Sequence, residues 1–168
     1  MMPPHTVFLG TGSNIGNRQL HLEQARQYIE AQLGPVVDSS RIYKTKAWGM
    51  EEQRDFLNQV LKVQTYQDAA EVLRKILAIE EAMGRIRAGK WGNRLIDIDI
   101  LFYDHQVIHT DRLIVPHPFI AQRRFVLAPL AEIAPDYQHP LLKKTISELL
   151  EMTADELAVE VYEESDQG

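Results

Sequence analysis

The sequence predicts an α+β fold, a ferredoxin-like sandwich in which one antiparallel sheet carries helices packed on one face. Runs rich in β-branched and aromatic residues alternate with stretches of helical apolar spacing, in the order strand, helix, strand, strand, helix, strand. The 168 residues hold no repeat at a period of roughly 20–50 residues, no low-complexity tract and no Pro/Gly/Ser-rich linker, so a single core must serve all six elements. A hydrophobic content of 45% and a charged content of 25% are ordinary for a globular domain and exclude collagen-like and disordered classes. We expect one domain over 1–168, with a core at about 6–152 and an acidic C-terminal tail at about 153–168.

The first strand is read at Thr6–Thr11, ending in a turn that contains Gly and Asn. Leu22, Ala25, Ile29 and Leu33 then recur at helical spacing until Gly34-Pro35 stops the helix. Val36–Thr45 and Phe56–Thr65 read as strands, with 46–55 as the loop between them. Asp68 followed by Glu71 resembles a capping box, and Ala69, Val72, Leu73, Ile76, Leu77 and Met83 form the apolar stripe of the next helix, which Gly84 closes. The strand Leu95–Tyr103 turns at Asp104-His105 into Gln106–Ile108. Pro116, Pro118, Pro129, Pro135 and Pro140 make the following stretch irregular apart from a short run near Phe125. Thr145 and Glu148 form a capping box for a helix through about Met152, and Leu157–Tyr162 alternates weakly.

Several function classes drop out. The chain has no cysteine, which excludes disulfides, thiolate nucleophiles and Cys-ligated metals. The longest apolar run, Phe125–Ala131, falls far short of the roughly 18 residues that span a bilayer, and the start has no basic or apolar signal region, so a cytoplasmic address and no membrane partner are expected. A net charge of -6 argues against nucleic acid as a partner. Yet Arg85, Arg87, Lys90 and Arg94 crowd into ten residues, Arg112, Arg123 and Arg124 follow, and no cation comes after Lys144. An acidic chain that gathers its cations this way either binds a small anion or carries a solvated charged surface.

The sharpest motif is Leu95-Ile96-Asp97-Ile98-Asp99-Ile100-Leu101, whose alternation sends Asp97 and Asp99 out of one face of a strand, with Cα atoms about 6.5–7 Å apart. Such neighbours repel unless a cation lies between them; the motif is either an amphipathic strand with solvated aspartates or a site for magnesium, which retains water and takes one or two carboxylates plus substrate phosphates. The segment Gly84–Arg94, with its three internal or flanking glycines and four cations, delivers guanidinium groups beside these acids, the combination phosphoryl transfer needs; it reads as a lid. Gly10-Thr11-Gly12-Ser13-Asn14-Ile15-Gly16 is neither a dinucleotide fingerprint nor a P-loop and reads as a tight strand-to-helix turn. Glu80 falls on an apolar stripe, either emerging into water or placed for a ligand. His117 sits between Pro116 and Pro118 as a structural residue or a phosphate donor. Trp48, Phe56, Trp91 and Phe125 are aromatic walls for a flat heterocycle or core, and Asn58, on the Phe56 face of the strand, has an amide to read a ring edge.

Leu9–Gly16, Asp55-Phe56-Leu57-Asn58, Gly84–Phe102, Val115-Pro116-His117-Pro118 and Arg124–Pro135 together resemble the 6-hydroxymethyl-7,8-dihydropterin pyrophosphokinase family, in that family's order and over most of Thr6 to about Leu150. The most specific piece is Arg85 through Trp91-Gly92-x-Arg94-x-x-Asp97-x-Asp99. The resemblance implies a ferredoxin-like transferase of folate biosynthesis that moves the terminal pyrophosphate of ATP to a pterin alcohol and releases AMP, with ATP as co-substrate and two Mg2+ ions. It implies Asp97 and Asp99 as metal ligands, Arg85 and Arg94 acting on the migrating group, and Asp97 assisting deprotonation. Glu80, Arg87, Trp91, Ile100, Arg112, His117 and Arg123 fall on its ATP side; Thr45, Trp48, Phe56, Asn58, Trp91 and Phe125 on its pterin side. Asn93, Ala47, Leu77 and Pro118 depart from residues frequent in the family. A monomer is expected. The rival readings are another metal-dependent nucleotidyl or phosphoryl transferase on the same fold, and a non-catalytic module that binds a small ligand.

Overall fold

The computed structural model describes residues 2–45, 55–84 and 95–163. Its elements are β1 (His5–Ser13), α1 (Arg18–Gln32), β2 (Val36–Ser39), β3 (Tyr43–Thr45), β4 (Phe56–Thr65), α2 (Ala69–Ala82), β5 (Asp97–Tyr103), β6 (Ile108–His109), β7 (Ile114–Val115), a 3-10 turn (Ile120–Gln122), α3 (Arg124–Ile133), α4 (Ile146–Met152) and β8 (Val159–Val161). The main sheet runs β5-β1-β4-β3-β8, with β2 also on β4, and its pairings are antiparallel. The ferredoxin-like sandwich is the fold.

Strand alternation decides what each face does. Val7, Leu9, Leu57, Leu61, Ile98 and Ile100 point to the side where α1 presents Leu22, Ala25 and Ile29 and α2 presents Val72, Ile76 and Ile79, and this layer is the larger core. Phe8, Val60, Leu101 and Phe102 point the other way, onto Leu127 and Leu130 of α3 and Ile146 and Leu149 of α4. Helices therefore cover both faces, where one was expected. α1 and α2 pack on the first face; α3 and α4 take only the end of the second face where its side chains are apolar.

The prolines concealed α3, since Pro129 lies inside it and gives up one helical donor. Burial of Val126, Leu127 and Leu130 outweighs that loss. Val36–Thr45 is two strands with a break at 40–42, where Ser40 donates its hydroxyl to Arg41 O and accepts Val60 N. Leu77 leaves the predicted stripe and is 54% exposed. Asp68 caps α2 by accepting Glu71 N, but Glu71 turns its carboxylate to Arg74, so the reciprocal half of the box is not made. At α4 both halves of the Thr145–Glu148 box form. The segment Gln106–Ile108 contributes only its end to β6, which pairs with β7 in a separate ladder. The acidic stretch set outside the core joins the sheet, as β8 pairs Val159–Val161 with Tyr43–Thr45 and Tyr162 is buried.

Candidate functional site

The second face of the sheet changes character along its length. Toward one end Phe8 and Leu101 meet α3; toward the other the same strands present Gly10, Gly12, Asn58, Phe56, Asp97 and Asp99. Those residues line a cavity of about 740 Å³ whose remaining walls include Thr45, Phe119, Arg123, Phe125 and Val126. Its floor is low because β1 contributes glycine there. The register aligns Tyr43, Asn58, Gly12 and Asp97 in one row across four strands. At about 4.8 Å per strand, Asn58 and Asp97 stand roughly 10 Å apart across Gly12. A Cβ on Gly12 would lie 2.8 Å from Asn58 Oδ1, so a side chain would displace the amide and fill the gap. Gly10 lies in the strand as read, and Gly12 is a strand residue too, which corrects the start of the turn; of the glycines in that motif only Gly16, with φ +65°, has a turn conformation.

Asn58 is 8% exposed and donates Nδ2–H to Thr45 Oγ1 at 3.2 Å, an arrangement that fixes the amide plane at the pocket. Thr45 is the register partner of Phe56, so three of the residues expected to face a heterocycle come together on adjacent strands. Phe125 faces the same cavity from the first turn of α3. Arg123 lies with its guanidinium 5.0 Å from the Phe119 ring centroid and 5.6 Å from that of Phe125. Among the expected ATP-side residues it alone, within the described set, lines this first cavity.

A second cavity, about 390 Å³, opens at the outer edge of β5 and is lined by Glu80, Ile100, Arg112, His117, Asp97 and Asp99, among others. Asp97 and Asp99 line both cavities. Glu80 is 7% exposed, and its Oε2 accepts the Ile98 N–H at 2.8 Å. It neither emerges into water nor stands only as a ligand donor, since it binds α2 to the residue between the two aspartates. His117 donates its backbone N–H to Leu101 O at 3.1 Å, and its Nδ1 accepts Phe119 N–H at 3.2 Å. The neutral ring therefore carries its proton on Nε2. Burial pushes its pKa below the ordinary 6.5, with Asp99 pulling it up and Arg123 adding to the fall.

Trp48, Arg85, Arg87, Trp91 and Arg94, and with them the lid expected over 85–94, lie outside the described residues. Sequence reading missed one wall altogether: Thr153, Ala154, Asp155 and Leu157 line the first cavity from the stretch taken for a tail. Only the Leu157–Tyr162 alternation hinted that this stretch pairs. Among the described residues no three His, Asp or Glu side chains gather as a complete metal cage, and no helix is long and apolar enough to cross a membrane.

Comparison with known proteins gives the following matches. Residues 8–135 match the family model described as 7,8-dihydro-6-hydroxymethylpterin-pyrophosphokinase (HPPK). A relative from Aquifex aeolicus, named 2-amino-4-hydroxy-6-hydroxymethyldihydropteridine pyrophosphokinase, is 46% identical over 143 residues, 85% of this chain and 89% of its own. One of the same name from Bacillus subtilis is 42% identical over 128 residues, 76% of this chain and 77% of its own. A crystal structure of HPPK-DHPS in complex with substrates superposes with a TM-score of 0.73 at 18% identity, over 89% of this chain and 43% of that one. A Plasmodium falciparum HPPK-DHPS structure gives 0.75 at 20% identity, over 88% and 45%. This chain spans less than half of those crystallised chains, and likeness at such identity speaks for the fold.

Proposed function

The chain belongs to the 7,8-dihydro-6-hydroxymethylpterin-pyrophosphokinase family, and from that premise we propose how its residues divide the work. The activity is pyrophosphoryl transfer to the hydroxymethyl group of 6-hydroxymethyl-7,8-dihydropterin in folate biosynthesis, with ATP as co-substrate. The sheet-face cavity takes the pterin and the β5-edge cavity takes the nucleotide. One observation carries this assignment: Asp97 and Asp99 line both cavities, so the two substrates meet over the one pair of carboxylates.

The pterin lies over Gly12, between Phe56 and Phe125, with Asn58 and Thr45 at its edge; flat rings gain from aromatic faces, and the buried amide gives orientation. Asp97 occupies the far end of the Asn58–Gly12 row, which brings it next to the hydroxymethyl arm. The hydroxyl oxygen attacks the β-phosphorus, the bond from that phosphorus to the oxygen on the α-phosphorus breaks, and AMP leaves. The hydroxyl proton passes to Asp97. A loose transition state of this kind depends on alignment and charge more than on a strong base. His117 Nε2–H and Arg112 face phosphate oxygens in the edge cavity, and Ile100 and Glu80 belong to that side as well. Arg123, on the pterin side of the aspartates, holds Phe125 and Phe119. Arg85 and Arg94 stabilise the migrating group, Arg87 and Trp91 meet the nucleotide, and Trp48 and Trp91 meet the pterin.

The donor set at the junction fits magnesium: two hard carboxylate oxygens from i and i+2 of one strand, with the remaining positions left to water and phosphate. Asp97 and Asp99 would hold two such ions, which when bound neutralise and align the phosphates. We also read the chain as one catalytic domain and as a cytoplasmic monomer; light scattering tests the last. Incubation with ATP, magnesium and the hydroxymethyl dihydropterin should yield AMP and the pterin pyrophosphate in equal amounts. Release of inorganic pyrophosphate in place of AMP would mean a nucleotidyl transferase, and calorimetry with no magnesium-dependent nucleotide binding would mean a ligand sensor.

A further inference from the structure

We propose that the C-terminal segment 153–157 is the outer wall of the pterin cavity, and that Asp155 within it is a positioning residue for Phe125. This rests on the reading that the sheet-face cavity takes the pterin.

The segment is secured at both ends. Thr153 N–H closes α4 on Leu149 O, and its Oγ1 accepts Asp155 N–H at 3.3 Å. Beyond it β8 pairs with β3, the strand that carries Thr45, and Tyr162 N–H donates to Ile42 O at 2.8 Å. Between these attachments the chain follows the cavity, with Thr153, Ala154, Asp155 and Leu157 lining it.

Both oxygens of Asp155 are committed. Oδ1 accepts Leu157 N–H at 3.0 Å, which turns the chain toward β8. Oδ2 accepts Arg124 N–H at 2.9 Å across 31 residues of sequence. Arg124 opens α3, and its own N-cap residue, Arg123, supplies no side-chain acceptor. A helix start leaves its first N–H groups without partners inside the helix and is electropositive, so a carboxylate there satisfies both needs. Here the cap comes from a distant segment. It fixes the turn that bears Phe125, one wall of the cavity, and Arg123, whose guanidinium lies over the Phe119 and Phe125 rings. The residues of the wall that line the cavity beside Asp155 are small or apolar, through Ala154 and Leu157, which suits an uncharged flat ring.

Steady-state kinetics with each substrate varied separates this role from a structural one. Asp155→Ala should raise KM for the pterin about fivefold to tenfold, about 1 to 1.4 kcal/mol at about 1.4 kcal/mol per factor of ten, with KM for ATP within about twofold. Asp155→Asn keeps one acceptor and should raise it about twofold to threefold. Ala154→Leu narrows the cavity from an exposed backbone position, so it should raise pterin KM while Tm stays within about 2 °C. Phe56→Ala is the control for the cavity assignment. If Phe56→Ala raises pterin KM while Asp155→Ala and Ala154→Leu leave it unchanged, the wall is refuted and the cavity assignment survives. If Phe56→Ala has no effect either, the cavity assignment fails and the proposal with it. A fall in Tm with both KM values unchanged, or rising together, would make Asp155 structural only and overturn its positioning role; should Asp155→Ala not fold, Ala154→Leu decides.

Discussion

The two faces of the sheet are built from the same strands and differ in what finishes them. On the first face, side chains from β1, β4 and β5 meet α1 and α2 in a layer that is mostly apolar. On the second, α3 and α4 stop short, and beyond Val60 and Leu101 the strands carry glycine, amide and carboxylate groups. A strand's period of two lets Ile98 and Ile100 stabilise the fold while Asp97 and Asp99, one residue away, line the two cavities. Stability and chemistry are thus separable by a single residue step, and mutations should divide accordingly.

The largest effect belongs to the second face. Asp97→Ala or Asp99→Ala should lower turnover roughly a thousandfold or more, since several kcal/mol of charge stabilisation is lost, with Tm close to that of the parent. Near-normal magnesium-dependent turnover in either variant would break the division. On the first face, Leu61→Ala removes a fully buried side chain and should cost about 2–5 kcal/mol of stability in urea unfolding, while both KM values of the folded enzyme stay put. Glu80 connects the two faces. Glu80→Ala leaves Ile98 N–H without its acceptor and should cost about 1–3 kcal/mol, whereas Glu80→Gln, which still accepts, should cost under about 1 kcal/mol; equal losses would show that the charge and not the hydrogen bond matters. Gly12→Ala should raise pterin KM about threefold to tenfold by displacing Asn58, and an unchanged KM would place the ring elsewhere.

The smallest effect is a pH dependence remote from the site. Burial lowers the pKa of His139 from its ordinary 6.5, and His21 shifts the same way, its hydrogen bond to the Ile15 backbone opposing. Below about pH 6.5 the unfolded chain then binds more protons than the folded one, so stability is full above that pH and falls as acid is added, until the folded form protonates too. His139→Asn, whose amide oxygen can replace Nδ1 in accepting Leu141 and Leu142 N–H, should flatten the fall in denaturant midpoint between pH 7 and about pH 5. An unchanged slope would remove His139 from the account.

Legibility in the sequence follows the same two faces. The first could be read almost whole: Leu22, Ala25 and Ile29 repeat at helical spacing, and the β4 boundaries at Phe56 and Thr65 agree with the structure. The Asp97-x-Asp99 alternation likewise fixes which side the acids take, because a strand has only two. What escaped depends on contacts distant in sequence. α3 was hidden because Pro129 breaks the local rule while tertiary burial keeps the helix. The Asp155 cap joins residues 31 apart, and Glu80 looked misplaced until Ile98 N–H was seen beside it. Gly12 reads as part of a turn since glycine alone does not distinguish a bend from the low floor of a cavity.

Among the described residues β5 ends the sheet, and the row of backbone groups on its outer side is an invitation to any other extended chain, another copy included. Glu80 takes the Ile98 donor and His117 N–H takes the Leu101 acceptor, so that row is already engaged at both positions. The consequence concerns solubility: variants that lose Glu80 should be the ones to form intermolecular β-structure on storage, beginning at the strand that bears the two aspartates.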